Sequence, residues 1–154
     1  MFSRSGHDDH RQRIEVLVQR WLEERQSLIV LMMALGEDPP AGARSLPDRV
    51  QDFCQILMDY VSAGHFEVYD ELLGEAEKHD ADGLADSRAL LQRLQPTTDA
   101  VIRFNDIYED PHAAGALTDL SRELSRLGLA LENRFEIEDR MIALLHGSPD
   151  KTAA

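Results

Sequence analysis

Four stretches of this chain place apolar residues alternately three and four positions apart, and this spacing limits the folds open to it more than any other feature. Residues at that spacing lie on one face of an α-helix, and such a face is stable when it packs against other helices. The first stretch shows the pattern at Ile14, Val18, Trp21, Arg25, Leu28, Met32 and Leu35. No stretch has the alternating pattern of a strand, so the sequence predicts an all-α fold.

The predicted helices cover about residues 11–35, 47–78, 84–108 and 113–145. Pro96 lies inside the third of them. Because proline has no amide hydrogen to donate within a helix, we expect the third helix to be kinked or broken at Pro96. Four long helices joined by short connections predict an antiparallel four-helix bundle with up-down-up-down topology.

Length and composition indicate one globular domain. A chain of 154 residues, 43% hydrophobic and 29% charged, can bury a core without covalent cross-links, so we expect a single domain over 1–154, with flexible ends at 1–11 and 147–154. The one cysteine, Cys54, excludes an intramolecular disulfide and a multi-cysteine metal site. The N-terminus is unlike a signal peptide, and the longest apolar run, 28–35, is too short to span a membrane. A cytoplasmic protein is therefore expected.

The net charge of −13 and the isoelectric point of about 4.7 limit the kinds of partner. Binding to nucleic acid or to an anionic membrane surface relies on basic patches, so neither is expected. An acidic surface suits a basic protein partner, although the same charge also serves solubility.

Charged or polar residues interrupt the apolar faces at a few positions. Arg25, Arg134 and Glu138 occupy core positions of the first and last helices, and His65 lies in the middle of the second. An isolated buried charge is too costly to persist, so these groups are expected to pair inside the bundle. Two interpretations stay open: a structural salt-bridge network, which we favour, and a ligand pocket.

The stretch from Asp52 to Leu73 has several features that a purely structural helix does not need. Gly64 lies in mid-helix, where glycine costs about 1 kcal/mol relative to alanine, so it marks a kink or a close helix crossing. In a regular helix Asp52, Asp59 and Asp70 fall near one stripe. Together with the aromatic residues of this stretch, the acidic stripe predicts a recognition surface beside a polar interior.

Motifs for catalysis and for metal binding are missing from the sequence. Helical di-iron sites use Glu-x-x-His pairs on two helices, and the one match here, 109–112, contains a proline and is predicted to be a loop. There is no phosphate-binding loop, no dinucleotide-binding glycine pattern and no nucleophile elbow. We therefore predict no catalytic residues, no metal and no cofactor.

Three segments closely resemble the Rsd/AlgQ family. They are Arg20–Arg25 (RWLEER), 52–69 (DFCQ through DYVSAGHFEVY) and 132–139 (ENRF with Glu138 and Asp139). The resemblance implies an all-helical anti-sigma factor that binds the C-terminal domain of the primary sigma factor, sigma-70, which reads the −35 promoter element. It also implies that alternative sigma factors are favoured, typically in stationary phase, and for AlgQ-type members a link to alginate regulation.

On this resemblance we expect the partner surface to join the first two helices. The predicted contact residues are Leu17, Trp21, Phe53, Asp59, Tyr60 and Phe66. Asp59 is the expected charged contact, and Trp21 and Phe66 are the expected anchors. A monomer or weak homodimer is predicted. The alternative is a small-molecule or metal sensor, similar to hemerythrin, that uses the polar interior formed by Arg25, His65, Arg134 and Glu138.

Overall fold

The computed structural model describes residues 2–79 and 88–145, without the side chains of 2–8, Phe66, 76–79 and Leu145. Every regular element in these two ranges is a helix. The elements are α1 (Phe2–Leu35), α2 (Leu46–Ala63), a π-helical segment (Gly64–Val68), α3 (Tyr69–His79), α4 (88–93), α5 (Gln95–Ile107) and α6 (Leu120–Leu145). The all-α fold is confirmed for this part of the chain.

The second predicted helix corresponds to α2, the π segment and α3, which follow one another without interruption. Ser45 caps its start, because the Ser45 hydroxyl oxygen accepts the backbone N–H of Asp48 at 3.3 Å. Pro47 lies in the first turn, where its missing N–H leaves no gap in the helical hydrogen bonds. The predicted start near Pro47 is confirmed.

The third predicted helix is interrupted where proline was expected to break it. Leu94 lies in a turn between α4 and α5. Its carbonyl oxygen accepts the Thr97 hydroxyl at 2.6 Å and the Thr98 backbone N–H at 2.9 Å, while Pro96 lies in the first turn of α5. The predicted break is confirmed. Residues 84–87 of that predicted helix lie outside the described residues.

Two predicted boundaries were wrong. The first helix begins at Phe2 rather than near residue 11, because polar residues extend a helix beyond the turns that bury an apolar face. The last helix begins at Leu120 rather than near residue 113. Gly115 has φ +74, a left-handed conformation that an α-helix does not contain, and it accepts the Thr118 hydroxyl at 2.9 Å. The predicted flexibility of 1–11 stays a prediction, and 147–154 lie outside the described residues.

The helices pack around one apolar core. Helix α1 packs against α2 and the π segment, α2 also packs against α5, and α6 packs against α3 and α5. Several core side chains are wholly buried: Leu28, Val50, Phe53, Leu57, Tyr60, Val68, Val101 and Ile137. A helical bundle is therefore confirmed, while the up-down-up-down topology stays a prediction. Within the described ranges, no helix is long and apolar enough to cross a membrane.

Candidate functional site

The carboxylate of Glu138 lies at the centre of a buried polar network. Its two oxygens accept hydrogen bonds from the Tyr60 hydroxyl at 2.6 Å and from the Tyr69 hydroxyl at 2.5 Å. Two cations flank it: Arg134 Nε is 3.2 Å from one carboxylate oxygen, and Arg25 Nη2 is 3.4 Å from the other. These five side chains come from α1, α2, α3 and α6, so the network connects four helices.

Arg134 extends the network to α5. Its side chain is buried, and Nη1 donates hydrogen bonds to the hydroxyls of Thr97 at 3.1 Å and Thr98 at 2.8 Å. Nη2 donates to the Tyr69 hydroxyl at 2.9 Å. Arg134 Nε is within ion-pair distance of Glu138, but its angle to the carboxylate is not that of a hydrogen bond. Hydrogen bonds thus hold Arg134 between α3 and α5, and the Glu138 carboxylate compensates its charge.

Arg25 forms the edge of the network that reaches the surface. Its Nε donates to the Tyr60 hydroxyl at 3.0 Å and its Nη1 donates to the Asp139 carboxylate at 2.6 Å. Its guanidinium carbon lies 4.7 Å from the centre of the Phe135 ring and 5.8 Å from the Trp21 ring, distances typical of cation–π contacts. The side chain of Asp139 is 59% exposed, so Arg25 joins the buried carboxylate to an exposed one.

The ionisation states follow from burial and from these neighbours. Burial raises the pKa of Glu138, and Arg134, the two tyrosine hydroxyls and Arg25 act against that rise. Burial, followed by the nearby Glu138 carboxylate, raises the pKa of Tyr60 and of Tyr69. Both hydroxyls therefore stay protonated and donate hydrogen bonds to the Glu138 carboxylate.

An aromatic cluster covers the network on the side of α1. The Trp21 indole N–H donates to the backbone carbonyl of Tyr60 at 3.2 Å, and the two rings stack at 5.1 Å between centroids. Trp21 also meets the Tyr69 ring edge-on at 5.8 Å. A Cβ atom on Gly64 would lie 2.8 Å from Trp21 Cζ2. The close helix crossing considered for Gly64 is confirmed, because only glycine leaves room for the indole.

The π-helical segment begins at the same glycine. The backbone N–H of Tyr69 donates to the carbonyl of Gly64, five residues earlier, instead of four residues earlier as in an α-helix. Short π-helical insertions of this kind occur frequently at functional sites. Here the first residue of the insertion, Gly64, packs against Trp21.

Three exposed carboxylates near this crossing come from different helical segments, and two of them act electrostatically on the third. They belong to Glu24 of α1, Asp59 of α2 and Glu67 of the π segment, and we call them the acidic face. Partial burial raises the pKa of Glu24, and the negative charges of Asp59 and then Glu67 raise it further. The carboxylates of Asp59 and Glu67 therefore each repel that of Glu24, and a basic side chain of a partner relieves this repulsion.

Comparison with known proteins identifies the family of the chain. The profile of the family described as "Regulator of RNA polymerase sigma(70) subunit, Rsd/AlgQ" matches residues 3–146. The chain belongs to the Rsd/AlgQ family. Proteins named "Regulator of sigma D" are similar to it, and the one from Pectobacterium atrosepticum is 39% identical over 134 residues, covering 82% of this chain and 85% of that protein.

Two further relatives carry the same name. The protein from Pectobacterium carotovorum subsp. carotovorum is 38% identical over 138 residues, covering 84% of this chain and 88% of that protein. The protein from Yersinia pseudotuberculosis is 29% identical over 130 residues, covering 82% and 77%. The resemblance to the Rsd/AlgQ family, first seen in three short segments, is thus confirmed along most of the chain.

The predicted partner surface of this family member is only partly exposed. Trp21, Phe53 and Tyr60 are buried and so lie beneath the exposed surface: Trp21 and Tyr60 cover the polar network and Phe53 packs edge-on against Phe104. Asp59 is exposed as predicted, and Leu17 is half-buried. The side chain of Phe66 lies outside the described residues. A role for any of the six residues in partner binding stays a prediction.

Three of the four predicted interior residues meet inside the bundle, and the fourth does not. The structure brings Arg25, Arg134 and Glu138 together, but His65 is exposed, and its ring meets Tyr69 edge-on at 6.3 Å. Its placement in the interior was wrong, because the helix turns this position towards solvent while Tyr69 faces inward. Within 2–79 and 88–145, no three His, Cys, Asp or Glu side chains are arranged to hold a metal ion.

Several members of the network were missed from the sequence. Tyr60 and Tyr69 were assigned to a recognition surface, whereas their hydroxyls hold Glu138. Thr97 and Thr98 were not singled out, although a pair of hydroxyls beside a broken helix faces a buried arginine here. The available signal was the set of three charges at core positions 25, 134 and 138, since buried charges need polar partners from neighbouring helices.

Proposed function

We propose that this protein is an anti-sigma factor that binds the C-terminal, −35-reading domain of sigma-70 through its acidic face. Binding there reduces the use of sigma-70 by RNA polymerase and favours alternative sigma factors. The observation that carries the proposal is that Asp59 and Glu67, both exposed, act electrostatically on exposed Glu24 of another helix. The family description and the names of the relatives support the same class of partner.

Electrostatic complementarity supplies the physical reason. A domain that reads DNA presents basic side chains to the phosphates. Carboxylates on the acidic face take the place of those phosphates, and a net charge of −13 attracts the basic partner over a distance. The protein and promoter DNA then compete for the same basic side chains of sigma-70.

The buried network gives this surface a fixed shape. Arg25, Tyr60 and Glu138 connect α1, α2 and α6 through hydrogen bonds, and Trp21 closes the crossing of α1 with the π segment. Carboxylates carried by these elements therefore keep their spacing before the partner arrives. A preorganised surface loses less conformational freedom when it binds.

Further parts of the proposal concern what the protein does not need. We propose that it acts in the cytoplasm without catalysis, without a cofactor and without touching DNA, as a monomer or weak homodimer. Membership of a family of sigma-factor regulators supports a non-enzymatic role. The alternative of a small-molecule or metal sensor has no support from the comparisons.

Titration of a fluorescently labelled sigma-70 C-terminal domain tests the proposal. The variants are Asp59→Asn, which removes a charge from the acidic face, and Asp106→Asn, which removes the same charge from the exposed surface of α5. Asp59→Asn should weaken binding at low salt and have a smaller effect at high salt, because salt screens exposed charges. Asp106→Asn should bind like the unaltered protein.

Each result has a definite consequence. Equal weakening by both variants indicates a general effect of net charge and contradicts the assignment of the acidic face. No binding of sigma-70 by the unaltered protein contradicts the function itself. Thermal unfolding of both variants serves as the control for folding.

A further inference from the structure

The π segment changes which side chains share a face of the long helix from Leu46 to His79. An α-helix turns by about 100° per residue, so residues about seven positions apart point in nearly the same direction. Where the hydrogen bond runs from residue i to residue i+5, one additional residue is taken up in the turn. Every residue after the π segment is therefore rotated by about 100° from its place in a regular helix.

This rotation changes which acidic residue points in nearly the same direction as Asp59: Glu67 instead of Asp70. Asp59 and Glu67 are eight positions apart, which in a regular helix separates their directions by about 80°. Glu67 is the fourth of the five residues of the π segment, so most of the additional rotation has taken place there and the separation falls from about 80° towards about 20°. For Asp59 and Asp70, eleven positions apart, the same change increases the separation from about 20° to about 80°.

The neighbours of α1 agree with this geometry. The carboxylates that act on Glu24 are those of Asp59, which precedes the π segment, and Glu67, which lies within it. The segment also contacts α1 directly. Its first residue, Gly64, packs against the Trp21 indole. Trp21 precedes Glu24 by less than one turn of α1, so the same crossing that contains the π segment brings α1 to the two carboxylates.

We infer that the π segment is a positioning device that brings Glu67, and not Asp70, onto the acidic face beside Asp59 and Glu24. The inference rests on the proposed function for its consequence, since the three carboxylates are the proposed contact with sigma-70. Glu67 is then a specificity-determining residue, which a regular helix would have turned away from the partner.

The first experiment needs no partner. The side-chain carboxyl of Glu24 is titrated by carbon-detected nuclear magnetic resonance in the unaltered protein and in the variants Asp59→Asn, Glu67→Gln and Asp70→Asn. The first two variants should each lower the pKa of Glu24 towards its ordinary value, and Asp70→Asn should leave it unchanged. A lower pKa in Asp70→Asn, with none in Glu67→Gln, overturns the inference.

The second experiment measures binding of the labelled sigma-70 C-terminal domain to the same variants at low salt. Exposed ion pairs contribute up to about 1 kcal/mol, so Asp59→Asn and Glu67→Gln should each weaken binding by roughly two- to fivefold. Asp70→Asn is the matched control, because it removes an exposed carboxylate three residues further along the same helix. Weakening by Asp59→Asn and Asp70→Asn, but not by Glu67→Gln, overturns the inference.

The two experiments separate the inference from the function on which it rests. If the Glu24 titration responds as expected while none of the variants changes binding, the positions of the carboxylates are supported and the proposed contact surface is contradicted. If binding responds to Asp59→Asn but the titration does not respond to Glu67→Gln, the proposed function stands and the positioning by the π segment is contradicted.

Discussion

Trp21 lies against Gly64 so closely that the indole occupies the space where any other residue would carry its Cβ atom, 2.8 Å from Trp21 Cζ2. The indole N–H is held in place by the carbonyl of Tyr60, and the Tyr69 hydroxyl lies 3.1 Å from the same Cβ position. This contact joins the exposed acidic face to the buried polar network, because both are built around the crossing of α1 with the π segment.

We expect Gly64→Ala to destabilise the fold. A regular helix gains up to about 1 kcal/mol when alanine replaces glycine, but the new methyl group collides with Trp21 and Tyr69, and overpacking costs about 1–3 kcal/mol. Urea unfolding measures the difference. Gly128→Ala in α6 is the matched control, because a Cβ atom there meets nothing within 4 Å. It should stabilise slightly, and an equal gain from Gly64→Ala contradicts the close crossing.

Glu138→Ala should lower stability far more than removal of the neighbouring Asp139. Loss of Glu138 leaves Arg134 buried without a counter-charge and both tyrosine hydroxyls without their acceptor, a change that costs roughly 3–5 kcal/mol. Asp139→Ala removes a carboxylate that is 59% exposed, so its cost should stay within about 1 kcal/mol. Thermal and urea unfolding of both variants checks this, and similar costs for both contradict a central role for Glu138.

The acid dependence of stability should include a contribution from Glu123. The Arg103 guanidinium donates hydrogen bonds to it at 2.6 and 3.3 Å and holds the pKa of this carboxyl below its ordinary value of 4.5. Because the folded-state pKa is the lower one, the contribution is complete above pH 4.5 and is lost as the pH falls through the folded-state pKa.

Unfolding of Glu123→Gln measured between neutral and acidic pH tests this. The difference in the free energy of unfolding from the unaltered protein should be present at neutral pH and disappear in acid. Arg103→Gln is the matched variant, since it keeps the carboxyl and removes the donor, and it should lose the same acid-sensitive part of the stability. A difference that does not change with pH contradicts the assignment.

The part of the fold that the sequence predicted is the part that local pattern determines. The apolar spacing in α1 placed Ile14, Val18, Trp21 and Leu28 in the core, and the proline at position 96 marked the break between α4 and α5. The charges at core positions 25, 134 and 138 indicated the polar network, because a buried charge requires a partner. Each of these conclusions follows from the positions of residues along a single helix.

The errors concern features that depend on contacts between helices. The predicted stripe of Asp52, Asp59 and Asp70 assumed a regular helix. The structure instead contains a π segment where Gly64 meets Trp21, and no local sequence pattern predicts it. Likewise, aromatic rings with hydroxyls suit both a recognition surface and a core. Only the position of Glu138 on another helix decides that Tyr60 and Tyr69 face inward.

The last prediction concerns Arg25, which joins α1 to α6. Its guanidinium contacts Tyr60, Glu138 and Asp139 through three different nitrogens and lies over the Phe135 ring. Lysine keeps the charge but has no planar fork, so Arg25→Lys retains only part of these contacts and should cost roughly 1–3 kcal/mol in the free energy of unfolding.

Arg20→Lys, an exposed position on the same helix, is the matched control and should change stability by less than about 0.5 kcal/mol. Urea unfolding of both variants, together with titration of the labelled sigma-70 domain, separates stability from binding. Equal effects of the two substitutions on unfolding contradict the fork-like bridging by Arg25. Under conditions where Arg25→Lys is fully folded, it should also bind sigma-70 more weakly. The reason is that α1, which carries Glu24 of the acidic face, then loses its fixed orientation.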